Sequence, residues 1–195
     1  RVLFRSKERE KRVLRKYFSF SSDRSELEKA QILYGIQVLW HNIKTTVIIF
    51  AAALLLDVLC GTFWTFLSFG MFRMFAGGLH LNTTVGCLLT TGSIAIGGGI
   101  LGEYLIFHPW LLFCIYCLIL TGVVLFAPQG TVNNPFSEDN QKKMKKRSMI
   151  LVLIYAVISI SGIEKISSWI TIGAIAELIT VIILYVQKKS VRKKG

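Results

Sequence analysis

The chain has 195 residues and a formal net charge of +12; 53 % of its residues are hydrophobic and 17 % are charged. Soluble domains carry about 25 % charged residues, so this composition excludes a single soluble globular domain and indicates a membrane protein. The excess of basic residues favours negatively charged partners, such as anionic lipid or an acidic peptide. We do not expect a nucleic-acid partner.

Residues 1–43 are predicted to form basic amphipathic helices that lie on the membrane surface. Ten lysines and arginines occur in residues 1–29, and they alternate with apolar side chains, a pattern that suits an anionic headgroup layer. The run from Ser25 to Glu28 has the form of a capping box, which predicts that a second helix starts there. Because this arm has no apolar signal-peptide core, we expect the N-terminus to stay in the cytoplasm.

The rest of the chain is rich in apolar runs close to the 20 or so residues that a helix needs to cross a bilayer. We predict an all-α polytopic membrane protein with about six transmembrane helices, preceded by the interfacial helices. The first two predicted spans form a pair hinged at Gly61. The predicted spans are residues 44–60, 62–75, 83–102, 104–126, 148–164 and 168–187.

Basic residues outside the spans predict the orientation of the protein. Five lysines and arginines occur in residues 142–147 and five more in residues 188–194. The positive-inside rule places such clusters in the cytoplasm. We therefore expect a multi-pass protein of the bacterial cell membrane with both termini inside. The protein would comprise the basic amphipathic segment of residues 1–43, a membrane domain of residues 44–187 and a basic tail at residues 188–195. The membrane domain would contain the turn at residues 73–87 and a cytoplasmic loop at residues 127–147.

A histidine and a cysteine in the turn at residues 73–87 are candidates for catalysis on the cytoplasmic side. Cysteine attacks as a thiolate, and an ordinary thiol, with a pKa of about 8.5, needs a base to become reactive at neutral pH. In one unbroken helix His80 and Cys87 would be separated by about 10.5 Å of rise, so they can pair only across a break. Gly77 and Gly78, with the cluster Asn82–Thr84, predict that break and a new helix with Cys87 near its first turn. On spacing alone, an interfacial histidine and a packed cysteine remain the alternative.

Two acidic residues fall inside predicted spans, where an ionisable side chain is costly and is a functional candidate by default. Asp57 is near the end of its span, and we expect it to reach water. Glu177 is near the middle of its span, and we expect it to pair with another helix or with Arg73. A small membrane transporter or peptide exporter that uses Asp57, Glu177 and His80 along a pathway is the alternative function.

The remaining polar and small residues are interpreted as structural. Cys114 and Cys117 are three residues apart, a spacing that is more typical of small apolar fillers in a helix than of a metal or redox site. Gly98 and Gly102 are four residues apart, which predicts close helix packing. We expect no metal and no cofactor.

The run Arg73-x-x-x-Gly77-Gly78-x-His80, followed by Cys87, resembles the signature of the accessory gene regulator B (AgrB) family. This family comprises the membrane endopeptidases of Gram-positive quorum sensing. The likeness covers most of the chain. It extends to the segment 36–43, the segment 127–131 and the basic run 142–147.

The resemblance implies a cysteine endopeptidase with a His-Cys dyad. Such an enzyme removes the C-terminal tail of a short precursor peptide, AgrD, and promotes closure of the remaining segment into a thiolactone autoinducer. By this resemblance Cys87 is the nucleophile and His80 is the base. Arg73 would bind a precursor carboxylate or a lipid phosphate, whereas Gly77 and Gly78 would permit the turn. The sequence leaves open whether the enzyme is a homodimer.

Overall fold

The computed structural model describes residues 26–78, 84–129, 138–162 and 164–192. In these ranges the chain forms six helices and no strand, with one isolated bridge between Gly77 and Gln129. The predicted all-α class is therefore confirmed. The helices are α1 (Glu26–Leu55), α2 (Leu59–Ala76), α3 (Thr84–Tyr104), α4 (Pro109–Phe126), α5 (Glu138–Ser161) and α6 (Glu164–Arg192).

Three helical segments of the described chain are long and apolar enough to cross a membrane: Val85–Tyr104, Pro109–Phe126 and Glu164–Ser190. These segments lie in α3, α4 and α6 and indicate membrane association. The apolar part of α1, Leu39–Leu55, is shorter than a full span. The six-span topology therefore stays a prediction.

The chain divides into two compact units, Arg1–Val47 and Ile48–Gly195. In the first unit, α1 begins at Glu26, directly after the serine of the predicted capping box. The Lys44 ammonium lies 5.3 Å from the centre of the Trp40 ring. The predicted helices of residues 1–25 lie outside the described residues, and their interfacial role stays a prediction.

The predicted hinge at Gly61 is wrong, because the chain turns at residues 56–58 instead. Asp57 has a φ of 56° there, a left-handed conformation that its short polar side chain tolerates better than most. Gly61 is buried inside α2, where a Cβ atom would lie only 2.9 Å from the Cα of Gly99. The glycine therefore serves close packing and not a turn. Asp57 is exposed on the surface of the protein, and its access to water stays a prediction.

Helices α2 and α3 pack closely and run antiparallel. A Cβ at Gly98 would lie 2.5 Å from Cγ2 of Thr65, and one at Gly99 would lie 2.6 Å from the main-chain N of Thr62. Glycine is required at these contacts because the two backbones are nearly touching. Gly99 follows Gly98 along α3, whereas its neighbour Thr62 precedes Thr65 along α2, so the two helices run in opposite directions. The two contacts also define the register of the helix pair.

Helix α6 packs on both of these helices. A Cβ at Gly173 would overlap Oγ of Ser68 on α2, and a Cβ at Gly102 would overlap the Trp169 ring. The Trp169 indole N–H donates a hydrogen bond of 3.0 Å to the carbonyl of Gly99. The prediction that Gly98 and Gly102 allow close helix packing is confirmed.

Helices α4 and α5 are joined to this group by buried hydroxyl groups. The Tyr116 hydroxyl lies 2.8 Å from Oγ of Ser159 and 3.1 Å from Oγ1 of Thr171, and the Tyr155 hydroxyl donates to the Ser68 carbonyl at 3.0 Å. Where water is scarce, such partners offset the cost of burying a hydroxyl. The apolar core around them includes Phe72, Ala76, Leu112, Ile119, Val123, Val152, Ala174 and Val181.

The predicted loop at residues 127–147 is partly helical, since α5 begins at Glu138 and contains the basic run 142–147. This run has no glycine or proline, and lysine, glutamine and methionine favour helix. The charged residues therefore extend α5 by about ten residues before the predicted span at 148. Residues 130–137 lie outside the described residues.

Candidate functional site

The end of α2 is fixed against the segment that follows α4. Gly77 has a φ of 75°, its N–H donates to the Arg73 carbonyl at 3.0 Å, and the N–H of Gln129 donates to the Ala76 carbonyl at 2.8 Å. A Cβ at Gly77 would overlap the main-chain oxygen of Gln129. Gly77 is therefore constrained twice, by its positive φ and by the neighbouring backbone.

Gly78 is buried and is constrained by a different neighbour. Its φ is 146°, a conformation that side chains rarely permit. A Cβ would overlap Oε1 of Glu177 and would lie 2.8 Å from Oγ1 of Thr180, both on α6. The glycine pair thus places the backbone that leads to His80 directly against a carboxylate.

Cys87 is the fourth residue of α3, and its side chain is half-buried. Gly98 faces Thr65 and Gly99 faces Thr62, so the antiparallel register brings Cys87 level with residues 74–76 in the last turn of α2. Cys87 therefore lies at the same end of the second unit as the glycine pair. The N–H groups of a first helical turn favour a negative charge, as a thiolate requires.

His80 belongs to residues 79–83, which lie outside the described residues. The described chain nevertheless contains the predicted break, because α2 ends at Ala76 and α3 begins at Thr84. Cys87 follows that break in the first turns of a new helix, as the cap cluster predicts. The approach of the imidazole to the thiol stays a prediction.

Arg73 and Glu177 interact electrostatically across the contact between α2 and α6. The Arg73 guanidinium also lies 5.6 Å from the centre of the Phe69 ring. Glu177 is fully buried, at 0 % exposure, and neither carboxylate oxygen has a hydrogen-bond partner in the described part of the chain. The nearby Thr180 hydroxyl donates to the main-chain carbonyl of Glu177 at 3.0 Å.

The sequence marks Glu177 as an acidic residue inside a predicted span, but it gives no sign that this residue lies against Gly78. That contact joins residues about a hundred positions apart, and it depends on the packing of α6 against α2. The sequence analysis therefore did not predict that Glu177 lies beside Gly78.

Basic side chains surround this end of the second unit. The Lys188 ammonium donates to Oε1 of Gln129 at 3.3 Å, and the Lys145 ammonium donates to the carbonyl of Val124 at 2.6 Å. At the opposite end of α3, Lys165 and Glu103 form an exposed ion pair of 2.7 Å. Cys87 and the glycine pair thus lie at the more basic end of the helices.

The other cysteines are remote from this arrangement. Cys60, Cys114 and Cys117 are exposed and form no disulfide. Within the described ranges, His, Cys, Asp and Glu side chains form no group of three that could hold a metal ion. His108 directly precedes Pro109 at the start of α4, at the end away from Cys87.

The chain is similar to one family of known proteins over most of its length. The family model described as Accessory gene regulator B matches residues 12–183. Accessory gene regulator protein B of Staphylococcus aureus (strain MRSA252) is 24 % identical over 173 residues, which cover 89 % of this chain and 92 % of that protein. An AgrB-like protein of Listeria innocua is 25 % identical over 153 residues, covering 77 % of this chain and 75 % of that protein. No solved structure matches the chain significantly.

Proposed function

Because the chain belongs to the accessory gene regulator B family, we propose that it is a membrane cysteine endopeptidase of quorum sensing. Its substrate is an AgrD-like precursor peptide, from which it removes the C-terminal tail. The same site promotes cyclisation of the remaining segment to a thiolactone autoinducer. The catalytic residues are His80 and Cys87.

The observation that best supports this proposal is the position of Cys87. The thiol lies in the first turns of α3, after a break in the helices and at the basic end of the second unit. A helix N-terminus carries about half a positive charge, which stabilises a thiolate before attack. Cys87 is also only half-buried, so part of the residue is accessible.

The first half of the reaction forms a thioester. His80 accepts the proton of the Cys87 thiol, and the thiolate attacks the scissile carbonyl carbon of the precursor. The tetrahedral intermediate collapses when the C–N bond breaks, and the imidazolium donates its proton to the leaving amine. The products are the free tail and the precursor segment bound to Cys87 as an acyl thioester.

The second half of the reaction closes the ring. A cysteine thiol within the bound segment loses its proton to His80 and attacks the thioester carbonyl, which releases Cys87 as the leaving thiol. One thioester replaces another, so this exchange is nearly balanced in free energy. Water must be excluded during the interval because hydrolysis would waste the acyl group, and a site at the membrane interface favours that exclusion.

The basic surroundings support binding of acidic groups from the cytoplasmic side. Lys145 and Lys188 lie at the same end as the glycine pair, and the positive-inside rule places that end in the cytoplasm. Arg73 can bind a precursor carboxylate bidentately or can contact a lipid phosphate. An acidic precursor and anionic lipid are therefore the proposed partners, with six membrane spans as the proposed topology.

The alternative, a small transporter or exporter, has less support. Asp57 is exposed in the turn before α2, whereas Glu177 contacts the residues that follow α2. The two acidic residues therefore lie at opposite ends of that helix.

Co-expression with the cognate precursor tests the proposal. Changing Cys87 to Ala or Ser should reduce cleavage by several orders of magnitude, below detection on a gel, because the covalent step needs the thiol. The matched controls Cys114→Ala and Cys117→Ala should cleave at the wild-type rate. Cleavage at the wild-type rate by the Cys87→Ala variant would remove the peptidase assignment.

A further inference from the structure

The segment that follows α4 is linked to the ends of three helices through Gln129. Its main-chain N–H donates to the Ala76 carbonyl at 2.8 Å, and its main-chain oxygen lies against Gly77 at the end of α2. Its side-chain amide donates to the Phe126 carbonyl at 2.5 Å. The Lys188 ammonium of α6 donates to the side-chain oxygen at 3.3 Å. Gln129 therefore joins α2, α4 and α6 at the basic end of the second unit.

The two side-chain contacts of Gln129 require both a donor and an acceptor. The Phe126 carbonyl can only accept a hydrogen bond, whereas the Lys188 ammonium can only donate one. An amide offers an N–H group to the first and an oxygen to the second. A carboxylate has no donor for the carbonyl, an ammonium has no acceptor for the lysine, and leucine has neither. The contacts therefore favour glutamine by its chemistry as well as by its size.

The main-chain contacts of Gln129 hold the last turn of α2. The final carbonyls of a helix have no partner within that helix, and the Gln129 N–H satisfies the carbonyl of Ala76. Gly77 has no side chain, so its backbone can pair with that of Gln129 in parallel direction. Because the side chain of Gln129 is bound to α4 and α6, these two helices support its contact with α2.

The supported turn lies at the level of the candidate nucleophile. The register of α2 and α3 brings Cys87 level with residues 74–76, which form the last turn of α2. If that turn moved, the surface at the level of the thiol would move with it. A displacement of about 1 Å between reacting groups can lower a rate by about 10²-fold. The rigidity of the end of α2 therefore bears on the chemical step.

We propose that Gln129 is a positioning residue for precursor cleavage. Its side chain, bound between the Phe126 carbonyl and the Lys188 ammonium, keeps the last turn of α2 in place at the level of Cys87. This inference rests on the proposed peptidase function. No atom of Gln129 takes part in the acyl transfer, so loss of its side-chain contacts slows the chemical step while the nucleophile is retained.

The first test changes Gln129 to Leu in full-length protein purified in detergent. This change keeps the main-chain contacts and much of the size but removes the amide. It should lower kcat for precursor cleavage by about 10- to 10²-fold with little change in KM, because the end of α2 is no longer fixed. Gln187→Leu, the same change at an exposed position beside Lys188, is the matched control and should keep the wild-type kcat. Equal kcat values for the two variants would overturn the inference.

An exchange of the two side chains separates this contact from a general loss of stability. Gln129→Lys alone sets two ammonium groups against each other and should cleave no faster than Gln129→Leu. Adding Lys188→Gln restores a donor and an acceptor, since the new lysine can donate both to the Phe126 carbonyl and to the new amide oxygen. The double variant should recover most of the lost kcat, whereas independent effects would add. A double variant no faster than Gln129→Lys would contradict the positioning role.

Amide hydrogen exchange separates failure of this inference from failure of the proposed function, because it needs no precursor. The peptide that contains residues 73–78 should exchange faster in Gln129→Leu than in the wild type, and at the wild-type rate in the double variant. If the wild type does not cleave its precursor, the proposed function is wrong and the positioning role falls with it. If the wild type cleaves, faster exchange with an unchanged kcat, or unchanged exchange, would overturn the positioning role alone.

Discussion

Gly78 carries no reactive group, yet the structure leaves no room for a side chain at this position in the turn. It combines a positive φ with direct contact to the Glu177 carboxylate. The sequence predicts a break at the glycine pair. The only role that it suggests for the two glycines is to permit the turn. The structure assigns each glycine a separate neighbour, the backbone of Gln129 for Gly77 and the side chain of Glu177 for Gly78.

The first prediction concerns this residue. Changing Gly78 to Ala should reduce precursor cleavage about 10²-fold, because the added Cβ displaces Glu177 or the turn by about 1 Å. Gly70→Ala is the matched control, since nothing lies within 4 Å of a Cβ there. The measurement is the cleavage rate per folded molecule, with folding checked by gel filtration. Equal rates for the two variants would mean that the Gly78 contact has no functional role.

The candidate nucleophile could be placed from sequence, whereas its surroundings could not. Local signals are sufficient for Cys87, because the glycine pair and the cap cluster lie within ten residues of it and predict a new helix. The contact of Glu177 with Gly78 and its electrostatic interaction with Arg73 depend on tertiary packing of α6 on α2. Hydropathy and spacing do not specify which face of a uniformly apolar helix meets which neighbour.

At the scale of the elements, α2, α3 and α6 approach one another through small residues. Sequence predicted close packing at Gly98 and Gly102, but it interpreted Gly61 as a hinge. A glycine can permit a turn or allow two helices to pack closely. Only the residues around Gly61 in the structure show that it allows close packing. The turn instead uses Asp57, whose short polar side chain tolerates a positive φ.

The second prediction tests this packing. Gly99→Ala should destabilise the protein by about 1–3 kcal/mol, because its Cβ would lie 2.6 Å from the backbone of Thr62 and the helices must separate. Gly97→Ala, on the same helix, should be neutral or slightly stabilising because its Cβ enters open space. Thermal unfolding in detergent measures both. A Gly99→Ala protein that is as stable as Gly97→Ala would contradict the close contact of α2 with α3.

At the scale of the whole molecule, composition predicted the all-α class and membrane association. The six predicted spans correspond in part to described helices, and three helical segments are long and apolar enough to cross a bilayer. Helix α5 shows why the count remains a prediction, since its first ten residues carry a basic run that hydropathy alone assigns to a loop.

The third prediction concerns orientation. In a variant without native cysteines, a thiol at Asn140 should be labelled by an impermeant reagent only after the cells are opened, because the basic end faces the cytoplasm. A thiol at Tyr104, which is 82 % exposed near the opposite end, should be labelled in intact cells. The reverse pattern would place the candidate site outside the cell.

The central claim is that Cys87 carries the precursor as a thioester during tail removal. The direct measurement is intact-mass spectrometry of the full-length protein, acid-quenched during turnover of its precursor. We predict an adduct equal in mass to the precursor without its tail, attached at Cys87 and released by hydroxylamine. A tail that is released with no such adduct at any time, or an adduct on another cysteine, would contradict the account.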